Sequence, residues 1–150
     1  MIRNDSEHRK AVARIKAERE RIDAMRAQLV EEGLSDDEVK RATDPVQSFH
    51  LQLVEEVEAY ERLKRGEFGE LKNFRGLGQM LIAFRIYRRL SQRALADRLG
   101  IHESQVSRDE RNEYHGITVG RAEKILRVLG VRVSSRVEFI EPQENDEIAV

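Results

Sequence analysis

The stretch Leu90 to Arg111, LSQRALADRLGIHESQVSRDER, decides how this chain folds. Ser91 is placed to N-cap a helix that carries Leu95, Ala96 and Leu99 on its inward side. Ala96 is small where a second helix must pass closely. Gly100 supplies the left-handed backbone that turns the chain, and Ile101 drops an apolar side chain into the corner. A second helix begins at about Glu103. It offers Val106 to the core, while Ser104, Gln105 and Arg108 lie within one turn of each other on the outer face.

Two short helices joined in this way form a helix-turn-helix, and serine, glutamine and arginine are the side chains that read base edges and hold phosphates. The segment resembles the helix-turn-helix of the Cro and phage-repressor type, the xenobiotic-response-element class, over roughly Leu77 to Leu129. The resemblance rests on Leu90, Ser91 and Gln92 at the first helix start, and on Leu95 and Ala96 within it. Leu99, Gly100 and Ile101 match at the turn, and Ser104, Val106, Ser107, Arg108 and Glu110 in the second helix. Two positions depart from the pattern. His102 stands where members usually place Ser, Asn or Asp, a weaker N-cap that Glu103 partly offsets through the helix dipole. Asp109 stands where an apolar residue is usual, and pairing with a neighbouring arginine is its expected role.

The formal net charge of -1 hides a segregation of sign. Residues 72–132 carry 13 Lys+Arg against 6 Asp+Glu, a net of +7. Residues 1–71 carry 13 against 17, and residues 133–150 carry 1 against 5, so each flank stands at -4. The basic part is the part with the motif, and such a patch attracts a phosphate backbone whatever the base sequence. Arg85, Arg88, Arg89, Arg93 and Arg108 are the expected phosphate contacts, against the plainer reading of solvated helix-surface arginines.

The same periodicity places the neighbouring helices. Leu77, Leu81, Ile82, Phe84 and Ile86 follow Gly76 and read as a helix under the motif, its basic end at Arg88 and Arg89 complementing the dipole. After the loop Asn112 to Gly116, Thr118 opens a helix presenting Val119, Ala122, Ile125, Leu126 and Leu129, closed by Gly130. Four helices around one small core are expected. The resemblance implies that Tyr114 and Gly116 lie in a loop where backbone amides meet phosphate; by residue type alone, Tyr114 serves equally as a core or cap residue.

The N-terminal half is a different object. From about Asp5 to Glu32 the chain is rich in charge and Ala and has neither Pro nor Gly, and Ile15, Ile22 and Leu29 recur every seven residues, which predicts a long helix. Gly33 ends it, and Ser35 with Glu38 has the form of a capping box opening a short helix. Asp44 and Pro45 read as the cap and first residue of a further helix with a stripe of Val46, Phe49, Leu53, Val57, Tyr60 and Leu63. The expected product is an antiparallel hairpin. It packs on itself or on the basic module, or its thin seam forms a dimer. A two-fold dimer would set two reading helices roughly 34 Å apart on a palindromic site. Val131, Val133, Val137 and Phe139 alternate as in a short strand, which pairs with its copy in another subunit or lies on the core. Glu144, Asp146 and Glu147 read as an acidic disordered tail.

Composition sets outer bounds. The chain of 150 residues has no Cys, hence no disulfide and no thiolate metal site, and with 37% charged residues suits an extended helical protein. No apolar run approaches membrane-spanning length and no signal peptide is visible, so a cytoplasmic protein without a membrane is expected. His8, His50, His102 and His115 are scattered, and Asp36 with Asp37 and Glu55 with Glu56 point apart on a helix. No enzyme, cofactor or metal site is expected.

The reading is an all-α protein: a helical hairpin over residues 1–70, a lambda-repressor-like helix-turn-helix domain over 71–132, and a possible short strand and tail over 133–150. Its expected function is a homodimeric transcriptional repressor of a palindromic double-stranded DNA site. Ser104, Gln105 and Arg108 are the leading contacts, with Ser107, Arg111, Arg88, Arg89, Arg93 and Tyr114 completing the set. Gln92 anchors the backbone and could brace Gln105. Glu103 accepts from a cytosine amino group or serves only the dipole. The alternative is a protein similar to HigA-like antitoxins, whose acidic hairpin neutralises a toxin and which represses its own operon. A third is a motif that has kept the fold and lost DNA binding.

Overall fold

The computed structural model describes residues 1–140, which form six helices and no strand. In chain order these are α1 (Asp5–Glu31), α2 (Asp36–Arg65), α3 (Leu77–Tyr87), α4 (Gln92–Leu99), α5 (Glu103–Arg111) and α6 (Val119–Leu129). The all-α expectation holds. The expected acidic tail at Glu144, Asp146 and Glu147 lies outside the described residues.

α1 and α2 pack against each other as an antiparallel hairpin turned at Gly33, where Leu34 N donates to Leu29 O. The sequence suggests a short helix followed by a restart at Asp44–Pro45, yet α2 runs unbroken through Pro45. Pro removes one intrahelical bond at a cost of roughly 3 kcal/mol. Packing along the whole helix outweighs that. The α2 seam is Val39, Thr43, Val46, His50, Leu53, Val57 and Tyr60, a spacing of four and three throughout, with Val39, Thr43, Val57 and Tyr60 fully buried. Phe49, expected in that stripe, is 70% exposed, because the continuous helix brings His50 into the seam instead.

The facing α1 seam contains Ala11, Ile15, Ile22 and Leu29, with Ala11 and Ile22 buried. Polar pairs cross the hairpin between these apolar layers. His8 Nε2 meets Glu61 Oε1 at 2.9 Å, and Arg26 Nη2 donates to Gln47 Oε1. Such pairs oppose a slip of one helix along the other, because a shifted register would leave them unpartnered.

The hairpin does not stand apart from the basic module. Val57, Tyr60, Leu63 and Phe68 join the same apolar cluster as Leu81, Ile82, Phe84 and Ile86 of α3. Phe68 sets its ring edge-on to Phe84 at 5.1 Å and to Tyr87 at 5.5 Å. Leu95, Ala96 and Leu99 of α4, Val106 of α5 and Ala122, Ile125 and Leu129 of α6 complete the cluster. Gly78 permits the close approach of α3 to the α5–α6 loop: a Cβ there would sit 1.7 Å from the Glu113 carbonyl oxygen.

Beyond α6 the expected strand is absent. Val131 is half-buried and its N–H closes α6 on Leu126 O at 2.9 Å, but Val133, Val137, Phe139 and Ile140 are exposed. Among the described residues, all of whose elements are helices, that segment has no strand edge to pair with.

Candidate nucleic-acid interface

α4 and α5 are held at both ends of the turn between them. Ser91 Oγ accepts from Ala94 N at 3.0 Å and opens α4. Gly100 takes φ 68° and closes it, and Ile101 N donates to Ala96 O at 3.0 Å. His102 caps α5 through its ring: Nδ1 accepts from Ser104 N at 3.2 Å and lies 2.8 Å from Ser104 Oγ. The weak cap expected from residue type is thus replaced by an imidazole acting as Asp or Asn would.

Beneath α5 lies a buried polar network. Glu110 is fully buried and accepts from Arg85 Nε at 2.5 Å, from Arg85 Nη2 at 2.7 Å and from Gln92 Nε2 at 2.8 Å. Arg85 Nη1 donates to Leu90 O at 2.7 Å. The expectation that Arg85 contacts phosphate is therefore corrected. It lies in a run of buried residues from Leu81 to Ile86 and serves as the internal tie between α3, α4 and α5. Gln92 braces Glu110, where the sequence suggests Gln105. A charge amid five apolar helix residues was the available signal, together with the acid one position before Arg111.

That tie fixes which face of α5 turns outward. Val106 and Glu110 point inward, so Ser104, Arg108 and Arg111, spaced four and three apart, line the exposed side. Gln105 and Ser107 flank it, half-buried, and Glu103 is exposed in the first turn. Asp109 pairs with Arg121 of α6, as its departure from the apolar pattern suggests, and so leaves the exposed row without a carboxylate at its centre. Among the described residues Arg89, Arg93, Arg98, Arg108 and Arg111 are exposed and form no ion pair. In the sequence Arg98 looks like any helix-surface charge.

Two other expected contacts have work elsewhere. Arg88 Nε donates to Leu129 O and its Nη2 to Gly130 O, both at 2.8 Å, where it neutralises the C-terminus of α6. The Tyr114 side chain is buried, and burial pushes its hydroxyl above the ordinary phenol range, with the nearby Glu110 charge adding to the shift. Its backbone N–H is bound to Asp109 O at 2.7 Å, so that amide is not free for a phosphate. Tyr114 is a core residue. No group of three or more acidic or His residues able to hold a metal occurs among the described residues.

A helix-turn-helix family model matches residues 81–135, which take in most of α3, all of α4, α5 and α6, and the start of the following segment. No curated protein and no solved structure matches the chain. Residues 81–135 thus form a helix-turn-helix domain of the kind found in DNA-binding transcription regulators. No described helix is long and apolar enough to cross a membrane.

Proposed function

We propose that this chain is a sequence-specific double-stranded DNA-binding repressor that acts as a homodimer on a palindromic operator. The observation that carries the reading is the outer row Ser104, Arg108 and Arg111 on a helix braced by a buried ion pair, flanked by unpaired Arg89, Arg93 and Arg98. α5 enters the major groove; Arg108 and Gln105 read base edges, with Ser104 and Ser107 beside them. Arg89, Arg93, Arg98 and Arg111 hold phosphates and fix the register. Glu103, exposed in the first turn of α5, accepts from a cytosine amino group or serves only the helix dipole. Two features support a dimer. One reading helix spans only a few base pairs, and Val137, Phe139 and Ile140 after α6 are apolar and exposed, a surface that a second subunit covers.

Selection of bound fragments from a random duplex library, with the mass of the complex recorded, tests this. Enrichment of a palindrome bound by two chains is the expected result. Saturable binding with no enriched sequence rejects the specific reading, and enrichment of a single half-site by one chain rejects the dimer.

A further inference from the structure

The network under α5 has a further member that lies outside the helix-turn-helix. Arg85 Nη2, besides holding Glu110, donates to the backbone carbonyl of Arg3 at 3.0 Å, across 82 positions of sequence. Ile2 is buried in the same apolar cluster as α3, α4 and α5. The geometry points to the N-terminal strap, residues 2–4, as a positioning element for the reading helix: it completes the shell of acceptors that orients Arg85, and through Arg85 it sets Glu110 and α5.

The strap is itself held rigidly. Asn4 caps α1, its Oδ1 accepting from Glu7 N at 2.8 Å, and Arg3 N donates back to Glu7 Oε2 at 2.9 Å. At the next position, Asp5 Oδ1 accepts from Lys64 Nζ at 2.7 Å and from Tyr60 Oη at 3.0 Å, which pins the start of α1 to the end of α2 beside α3. A guanidinium has five N–H groups in a fixed fork, and Arg85 is almost wholly buried, so the N–H that faces Arg3 relies on that carbonyl for its partner. Loss of the Arg3 carbonyl leaves a buried donor unpaired, and the cheapest relief is rotation of the fork away from the Glu110 carboxylate. The hairpin thus bears on base reading without touching DNA. This rests on the DNA-binding reading above.

The test compares Ile2→Ala, with the milder Ile2→Val beside it, against Ile22→Ala in the full chain. Ile22 is equally buried but lies in the hairpin seam, outside the cluster that holds Ile2. Two readouts are taken: the ratio of affinities for the selected duplex and a scrambled duplex at one salt concentration, and hydrogen exchange at Arg85 Nε–H by NMR. In Ile2→Ala the ratio is expected to fall about tenfold, the worth of one base contact, with scrambled-duplex affinity unchanged. Exchange at Arg85 Nε–H rises about tenfold. Ile22→Ala lowers thermal stability and moves neither readout. Unchanged exchange and an unchanged ratio in Ile2→Ala, or equal changes in Ile22→Ala, overturn the role. If the native chain shows no preference between duplexes, the DNA reading fails while the exchange readout still judges the strap.

Discussion

Arg85 of α3 and Glu110 of α5 meet as a two-pronged ion pair with side-chain exposures of 2% and 0%. Taking two charges out of water is costly, and the pair persists because every carboxylate oxygen and most guanidinium donors are matched. Truncating one partner strands the other. Arg85→Ala or Glu110→Ala is expected to lose about 3–5 kcal/mol in urea unfolding. The double variant Arg85→Met with Glu110→Leu should recover most of that loss. A double variant no more stable than the singles would show that the neighbouring acceptors, and not the pair, hold the site.

Gly78 and Gly120 are both helical glycines, yet substitution should act on them in opposite directions. A Cβ on Gly78 meets the Glu113 backbone at 1.7 Å, whereas one on Gly120 meets nothing within 4 Å. Gly78→Ala should cost about 1–3 kcal/mol by forcing the α5–α6 loop away. Gly120→Ala should stabilise by about 0.5–1 kcal/mol through reduced backbone freedom in the unfolded chain. Thermal melts of the two variants separate the effects, and equal shifts would contradict the packing described.

The exposed arginines divide by the kind of binding they supply. Arg108→Ala should cost about 1–3 kcal/mol on the selected site and relax preference at one base position. Arg93→Ala and Arg98→Ala should weaken all duplexes alike and reduce the salt slope by about one each. Salt titrations on matched and scrambled duplexes distinguish the two patterns. An Arg108 variant that loses equally on both would reassign that residue to phosphate.

Stability should fall at both ends of the pH range through the contact between the start of α1 and the end of α2. The Asp5 carboxyl is held below its ordinary range, first by the hydrogen bond from Lys64 and then by that from Tyr60. A lowered folded value means that its contribution is present above the unfolded value and lost as pH falls through the folded one. Tyr60 is raised to about 12, first by burial and then by its bond to Asp5, so its contribution is present below about 10 and lost as pH rises through 12. Asp5→Asn should flatten the acid limb in denaturant midpoints measured against pH and leave the alkaline limb in place, though shifted by the loss of one carboxylate. An unchanged acid limb would place that titration elsewhere.

Much of the helix-turn-helix is legible because its signals are local. Ser91, Gly100 and Thr118 act within a few residues of themselves, and each sits where capping and turn chemistry put it. The seam of α2 was legible only in part. Pro45 is a strong local break signal, and it is overridden by burial of Val39 and Thr43 against α1, which no local rule weighs. That override also moved Phe49 out of the seam. Arg85 carries a weaker signal: its apolar neighbours hint at burial, but its partner Glu110 lies 25 positions away and only the fold brings the two together. The strength of the His102 cap is not legible in residue type, because an imidazole cap depends on ring orientation.

In the proposed complex α5 and the arginines beside it meet duplex DNA. Titration of the isotopically labelled chain with the selected duplex, following backbone amides and arginine Nε–H signals, tests it most directly. Saturable shifts are expected to concentrate at residues 89–98 and 103–111, with the outer face of α1 and α2 unmoved. Shifts confined to the hairpin, or none that saturate, would contradict it.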